Sequence, residues 1–421
     1  MVQGKAETVA SEAAVLAQGM SQAFRVLLCC EHYPPSVGGV QEVMRQIAER
    51  LASFGWQVTV ATSTHPARAV DTLRNGVRVV SFPISGNLTK GMTGPLAQYQ
   101  SFLEDGRFDA ILIKAAQQWT FDAAVGVLPR LSARKLFIPC GFSGLNDPRY
   151  KLYYQDMPTW LKLFDGLIFY ASEYQDIAFA RQHGLTYIHC LPNGVDEREF
   201  ADPDDHDIRS KLGIPASHDL LLTVGSQIAA KGHWEVLRAF SKAHLPRPAT
   251  LIINGNVPGK GKASLLKRTI KHGLTGRWPL TWEVRWRGLL GPNKRVLITD
   301  VPRPDLVNLY KSADLFVLAS HVEYSPLVLF EAAAAGTAFL SSPAGNSKEI
   351  AQWTGAGLVL ETRSSRNAAI LVSDLAQKME QLIFNPLHLA NLGKAGRESI
   401  FLNGFTWHKI VEKYHNLIRT Q

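Results

Sequence analysis

From Phe24 onward the chain alternates short, almost wholly apolar runs with stretches that are apolar on one helical face only, and that alternation admits few folds. FRVLLCC is followed by a stretch carrying Val43, Ile47, Leu51 and Phe54 at helical spacing and then by QVTVA, a strand–helix–strand unit. VRVVSF, AILI, KLFIP, GLIFY and YIHCL continue the pattern. Runs so continuously hydrophobic suit strands buried on both faces, hence a parallel sheet between two layers of helices. The alternation begins again after residue 215 with DLLLTVG, ATLIING, RVLIT, DLFVLAS and TAFLS, interleaved with helices expected near 234–243, 304–311 and 326–335. A length of 421 residues agrees, being more than one core usually serves.

The expectation is an α/β protein of two doubly wound, Rossmann-like domains, residues 24–200 and 201–404, whose sheets point their carboxyl ends into a central cleft. Residues 193–215, polar, acidic and broken by prolines, read as the interdomain linker. Residues 1–23 lack the basic start and apolar centre of a secretory signal and read as a weakly ordered leader. Residues 405–421 read as a terminal helix, with Phe405, Ile410, Val411, Tyr414, Leu417 and Ile418 on an apolar face that packs back on the first domain.

No apolar run reaches the roughly 20 residues of a membrane-spanning helix. The four cysteines have neither metal-ligand nor disulfide spacing, which suits the cytoplasm. The net charge of +9 is concentrated in residues 257–295, where ten Lys or Arg face the single acid Glu283. Such a patch attracts polyanions. Its mixture of Lys, Arg, Leu, Ile and Trp in GKASLLKRTIKHGLTGRWPLTWEVRWRG is that of an interfacial surface, so docking to acidic lipid at the inner membrane face is expected, with tryptophan core packing as the alternative. Outside that stretch aromatic and basic residues do not interleave, which speaks against a specific nucleic-acid partner.

The chemistry concentrates in HVEYSPLVLFEAAAAG, residues 321–336. Pro326 suits the first position of a helix and Gly336 its C-terminal cap, which leaves free backbone amides from Tyr324 to Leu329 to hold a phosphate. Continuous helix would set Glu323 and Glu331 about 12 Å apart and about 80° out of phase, too far for one acid/base dyad. Two separate roles fit better, each carboxylate accepting hydrogen bonds from vicinal hydroxyls, one of a ribose and one of a sugar. The alternative is a helix cap and an incidental acid.

Strand, loop, Glu, seven residues, Glu and a small-residue helix resembles the signature of retaining glycosyltransferases of family 4, which have the GT-B fold. The resemblance implies that Glu331 binds the nucleotide ribose, that Glu323 faces the transferred sugar, and that backbone at Ser325, Pro326 and Leu327 approaches sugar and diphosphate. TVGSQIAAKGHWEVLRAF is similar to the family segment holding a basic pair, with Lys231 matching its lysine and Ser226 standing where its arginine falls. Arg303 and residues of 257–295 are the cations available to replace that arginine. In EHYPPSVGGVQEV, Gly38 and Gly39 resemble the loop that closes on the donor diphosphate, and a tight turn is the alternative. In PCGFSGL, Cys140 falls where the family often has histidine, so it and Gly141 are expected only to shape an acceptor pocket. LITDVPRPDL resembles the segment whose backbone meets the nucleobase, at Asp300 and Val301, while LPNGVDEREF suggests a turn at Asn193 and Gly194. No role is assigned to Gly345 and Glu349 in GNSKEI.

The resemblance implies a first domain for the acceptor and a second for the donor. It implies transfer from a UDP- or GDP-sugar to a glycan or lipid-linked acceptor in cell-surface polysaccharide or glycolipid synthesis, with net retention. No His/Asp/Glu cluster suggests a metal, and a basic diphosphate site makes one unnecessary, so neither cofactor nor essential metal is expected. Two rivals stand: a degenerate binding module of the same fold for anionic polymer or membrane, and a nucleotide-sugar epimerase.

Overall fold

The computed structural model describes residues 23–201, 207–256, 280, 283, 284, 293–361 and 368–420. The expected leader, up to residue 22, and most of the basic segment 257–295 lie outside the described residues. The described residues form two units: 23–169, 179–189 and 413–420 make the first, and 170–178 with 190–412 the second.

The first unit is built on β1 (Arg25–Cys29), β2 (Gln57–Ser63), β3 (Asp71–Arg74), β4 (Val77–Phe82), the hairpin β5 (Ser85–Asn87) and β6 (Gly91–Thr93), β7 (Ala110–Lys114), β8 (Arg134–Ile138), β9 (Gly166–Phe169) and β10 (Ile188–Cys190). Its main sheet has the order β10-β9-β8-β7-β1-β2-β4-β3. β1 runs parallel to both neighbours, Leu27 standing opposite Thr59 and Ile111. The strand order therefore reverses at β1, the position where such sheets open a crevice. The helix Gly39–Ser53 packs on β2 and β4 and buries Val43, Met44, Ile47 and Leu51, four residues that recur at helical spacing. β3 is antiparallel to β4, and its residues Asp71, Leu73 and Arg74 are exposed. A polar edge strand of this kind carries no alternating or continuous apolar signal.

The second unit contains β11 (Asp219–Val224), β12 (Ala249–Asn254), β13 (Lys294–Thr299), β14 (Leu315–Leu318), β15 (Phe339–Ser341) and β16 (Gly357–Val359) in the order β13-β12-β11-β14-β15-β16, all parallel. Successive side chains divide between two cores, as the twofold period of a strand requires. Leu221, Leu251, Val317 and Leu340 pack under Trp234, Leu237, Phe240 and Leu375. Leu220, Leu222, Phe316 and Phe339 pack under Tyr310, Leu329, Phe330 and Ile400.

Residues expected to form the linker at 193–215 contribute instead to this second core: Val195, Phe200, Ile208 and Ile214 are buried in it, and of the described acidic residues between them only Asp207 is exposed. Asn193 and Gly194 form no turn. A Cβ on Gly194 would lie 2.6 Å from the Phe405 carbonyl oxygen and 2.7 Å from Ile410 Cδ1, so glycine is there for close packing. The helix Trp407–Arg419 buries Ile410, Val411, Tyr414 and Ile418, and from Lys413 on its residues belong with the first unit. One cation of the basic segment serves the fold itself, since Lys294 Nζ donates to the carbonyls of Phe240 (2.7 Å), Ser241 (3.1 Å) and Ala243. It thereby satisfies orphan acceptors at the end of the helix His233–Lys242 and opposes its dipole.

Candidate active site

Lys231 ends a single turn, Ala229–Lys231, between β11 and the helix His233–Lys242. Gly232 follows with φ +68°, and a Cβ there would stand 1.9 Å from the Ala319 carbonyl oxygen at the end of β14. Two loops that are remote in sequence are thus pressed backbone to backbone. His321 N donates to Ala230 O (2.8 Å), and His321 Nε2 lies 3.2 Å from Oε1 of the buried Glu235. The consequence is that Lys231 Nζ donates to Glu323 Oε1 at 2.6 Å, across 92 positions of chain.

His233 anchors the same turn from beneath. Its Nε2 is 3.0 Å from Gly225 O and its Nδ1 3.4 Å from Thr223 Oγ1. Burial lowers its pKa from the usual 6.5 to about 4. A depressed pKa stabilises the fold above pH 6.5, and that contribution is lost as pH falls toward 4, because only the unfolded chain takes up the proton in that window. The span corresponds to about 3 kcal/mol. Urea midpoints measured from pH 7 to pH 4.5 should therefore fall more steeply for the parent than for His233→Gln, and parallel profiles would refute the assignment.

The helix Leu327–Ala335 starts one residue later than expected: Pro326 is its N-cap and Gly336, at φ +78°, its C-cap. Glu323 lies in the preceding loop, so the separation and phase of a continuous helix do not apply to the two glutamates. Pro326 is buried and has no N–H, so the amides of the first turn begin with Leu327 and Val328. Ser325 O accepts from Asn193 Nδ2 (3.0 Å), while Ser325 Oγ is buried without a partner among the described residues.

Glu331 is buried, and its partner is Arg303, a cation to which local sequence gives no defined role. Arg303 Nη1 lies 2.7 Å from Glu331 Oε1, and the rest of its guanidinium fork is held by Glu199. Burial would lower the Arg303 pKa, but Glu331 and Glu199 together push it up. Burial first, and Glu331 next, push the Tyr310 hydroxyl well up from its ordinary value.

Several residues given no role by sequence shape the Glu323 loop. Tyr174 donates its hydroxyl to Glu323 O (3.0 Å), and Tyr170 N donates to the Tyr324 hydroxyl (3.0 Å). Asn346 N donates to Tyr324 O (2.9 Å) and Asn346 Nδ2 to Tyr170 O (3.1 Å). The buried Glu349 accepts from Ser172 N (2.8 Å) and from the Ser172 hydroxyl, which answers what Glu349 does in GNSKEI. A Cβ on Gly345, at φ +61°, would meet Tyr324 O at 2.3 Å. A cavity of about 660 Å³ opens beside this loop, lined by Tyr174, His321, Glu323, Asn346, Lys348 and Glu349 among others.

The remaining expected residues lie on other elements. Asp300 is exposed after β13, and the Val301 amide is engaged by Asn254 Oδ1 (3.0 Å). Gly38 and Gly39 lie exposed in the first unit at the start of the helix Gly39–Ser53. Gly38 has extended backbone (φ 162°), which any residue adopts, so a tight turn is not what requires it. Cys140 (φ +62°) and Gly141 (φ +89°) follow β8, beside Ala115 (φ +70°) and Gln117 (φ +64°) after β7. With Phe142 (φ +50°), four non-glycine residues in the left-handed region on these two loops store strain of the kind found at functional sites. Gln117 ties these loops down: its Oε1 accepts from Gly144 N (3.2 Å) and from the Tyr154 hydroxyl (3.2 Å). Among the described residues no group of three or more His, Cys, Asp or Glu is placed to hold a metal ion, and no helix is long and apolar enough to cross a membrane.

Two doubly wound units of this kind define the GT-B class of fold. The profile described as "Glycosyl transferases group 1" matches residues 204–399, and that described as "Glycosyl transferase 4-like domain" matches residues 38–149. The chain belongs to the family 4 glycosyltransferases. It is 28% identical over 186 residues to a D-inositol 3-phosphate glycosyltransferase of Xylanimonas cellulosilytica, covering 42% of this chain and only 40% of that enzyme. It is 23% identical to the GDP-mannose-dependent monoacylated alpha-(1-6)-phosphatidylinositol monomannoside mannosyltransferase of Corynebacterium glutamicum, over 96% of this chain and 100% of that one. Among solved structures, sucrose-phosphate synthase from Thermosynechococcus elongatus superposes with a TM-score of 0.72 at 20% identity, over 94% of this chain and 98% of that one.

Proposed function

We propose that this glycosyltransferase moves a sugar, with net retention and without an essential metal, from a UDP- or GDP-sugar to a glycan or lipid-linked acceptor in cell-surface polysaccharide or glycolipid synthesis. The observation that carries the reading is the 2.6 Å pair of Lys231 and Glu323 at the mouth of the helix that bears the buried Glu331. A nucleoside diphosphate sugar presents a diol, a diphosphate and a pyranose, and these match a carboxylate, a cation with helix amides, and a second carboxylate. When diphosphate binds, it competes with Glu323 for Lys231 and so releases the carboxylate to the sugar hydroxyls.

In this reading the bond from the anomeric carbon to the phosphate oxygen breaks while Lys231 and the amides of Leu327 and Val328 take up the growing charge. The acceptor oxygen attacks from the same face and gives its proton to the departing phosphate oxygen, so no protein nucleophile is required. The exposed Gly38–Gly39 backbone serves the donor diphosphate, and the strained turn at Cys140 and Gly141 shapes the acceptor pocket. The GDP arm and a lipid-linked acceptor are supported by the name of the corynebacterial mannosyltransferase. The basic segment 257–295 would bring the enzyme to acidic lipid on the cytoplasmic face.

A thermal-shift screen of UDP- and GDP-sugars tests this. One donor at 100 times its Kd should stabilise the parent by about 2.7 kcal/mol, unchanged in EDTA, and should not stabilise Glu331→Ala. Equal shifts in parent and variant would remove Glu331 from the donor site, and turnover that EDTA abolishes and magnesium restores would remove metal independence.

A further inference from the structure

Arg303 is the first residue of the helix Arg303–Ser312, where the positive end of the helix dipole disfavours a cation. Its position is therefore poor for helix stability and good for something else. The guanidinium is fixed on two sides: Nε lies 3.1 and 3.2 Å from the Glu199 carboxylate oxygens, and Nη2 lies 2.6 Å from Oε2. The ring of Phe200 lies 5.9 Å from the guanidinium carbon. With two arms of the fork occupied, the direction of the third is determined, and it ends on Glu331.

We propose that Arg303, held in place by Glu199, is a positioning residue that aims the Glu331 carboxylate at the ribose diol of the nucleotide, an inference that rests on the donor site proposed above. A carboxylate buried to the extent of Glu331 needs a hydrogen-bonding partner, and a vicinal diol needs it held in one orientation. Arg303 supplies both through Oε1. Lysine cannot substitute, because a point charge cannot hold Glu199 with two arms and Glu331 with a third. Arg303 thus acts at the ribose carboxylate, away from the diphosphate cation site where the arginine missing at Ser226 would have stood.

The test compares calorimetric Kd values of UDP and GDP with those of their 2′,3′-dideoxy forms, for the parent, Glu331→Ala, Arg303→Met, Arg303→Lys and Glu199→Gln. Loss of hydrogen bonds to a charged group should make the parent prefer the ribonucleotide by about 10- to 100-fold. Glu331→Ala should abolish that preference. Arg303→Met and Arg303→Lys should reduce it to about threefold or less, with donor KM rising and kcat at saturating donor nearly unchanged. Folded Arg303→Met with the parent's ribose preference would overturn the inference. If that variant does not fold, Glu199→Gln decides: a reduced preference supports positioning, and a parental one overturns it. Persistence of the preference in Glu331→Ala is a different failure, since it sinks the donor site itself.

Discussion

Lys231→Met should lower turnover by about 10²- to 10³-fold, the usual effect of removing a preorganised charge from the place where negative charge develops. The side chain is 30% exposed and its partner among the described residues is Glu323, so its removal should leave the fold standing. The turn that carries it is held independently, by the His321 amide on Ala230 and by His233 on Gly225. The loss should fall on kcat more than on donor binding, because leaving-group charge is larger in the transition state than in the bound donor. Lys231→Arg should recover part of it. Glu323→Gln should also be costly, and the double variant should lose less than the two losses multiplied, since the partners act as one unit. Steady-state kinetics with single-turnover controls measure this, and a Lys231→Met enzyme within threefold of the parent would exclude the proposed leaving-group role.

Gly232→Ala tests the scaffold rather than the chemistry. The added Cβ would occupy a position 1.9 Å from the Ala319 carbonyl oxygen, and φ +68° is unfavourable for alanine before any contact is counted. Left-handed strain of about 1–2 kcal/mol plus displacement of two packed backbones should total about 3 kcal/mol. For a unit of this size that is a fall in Tm of roughly 6–12 °C. The displacement acts directly on the Lys231–Glu323 contact, so activity should fall even at temperatures where the variant is fully folded. Gly55→Ala is the matched control, with φ +87° but nothing within 4 Å of its Cβ. It should show the conformational penalty without the collision or the loss of activity. Equal melting temperatures for the two variants would mean that the close approach at Gly232 has no energetic consequence.

Most of the second unit's sheet was legible because its strands are buried on both faces and read as unbroken apolar runs. The polar edge strand Asp71–Arg74 was not, for the opposite reason. The stretch 193–215 misled because composition averages over residues: its acids and prolines dominate the text, while Val195, Phe200, Ile208 and Ile214 do the packing. Glu323, Lys231 and Glu331 stood out because a glutamate loop, a glycine-preceding lysine and a capped small-residue helix are local patterns. Glu199, Glu235, Tyr174 and Glu349 belong to no local pattern, and each acquires its meaning from a partner far along the chain. LPNGVDEREF, TVGSQIAAKGHWEVLRAF and GNSKEI contain Glu199, Glu235 and Glu349, but nothing in those segments marks these acids.

The amino-acid order by itself therefore determined the class of fold and the chemical groups available, since hydrophobic periodicity, capping residues and side-chain functionality are properties of short segments. Tertiary structure alone decided that Lys231 meets Glu323 and that Arg303 turns to Glu331 and Glu199. Those pairings depend on where β11, β13 and β14 set down their loops, and on the backbone contact that Gly232 permits. Contacts across 92 and more positions are products of the packed sheet, and no local run of sequence encodes them.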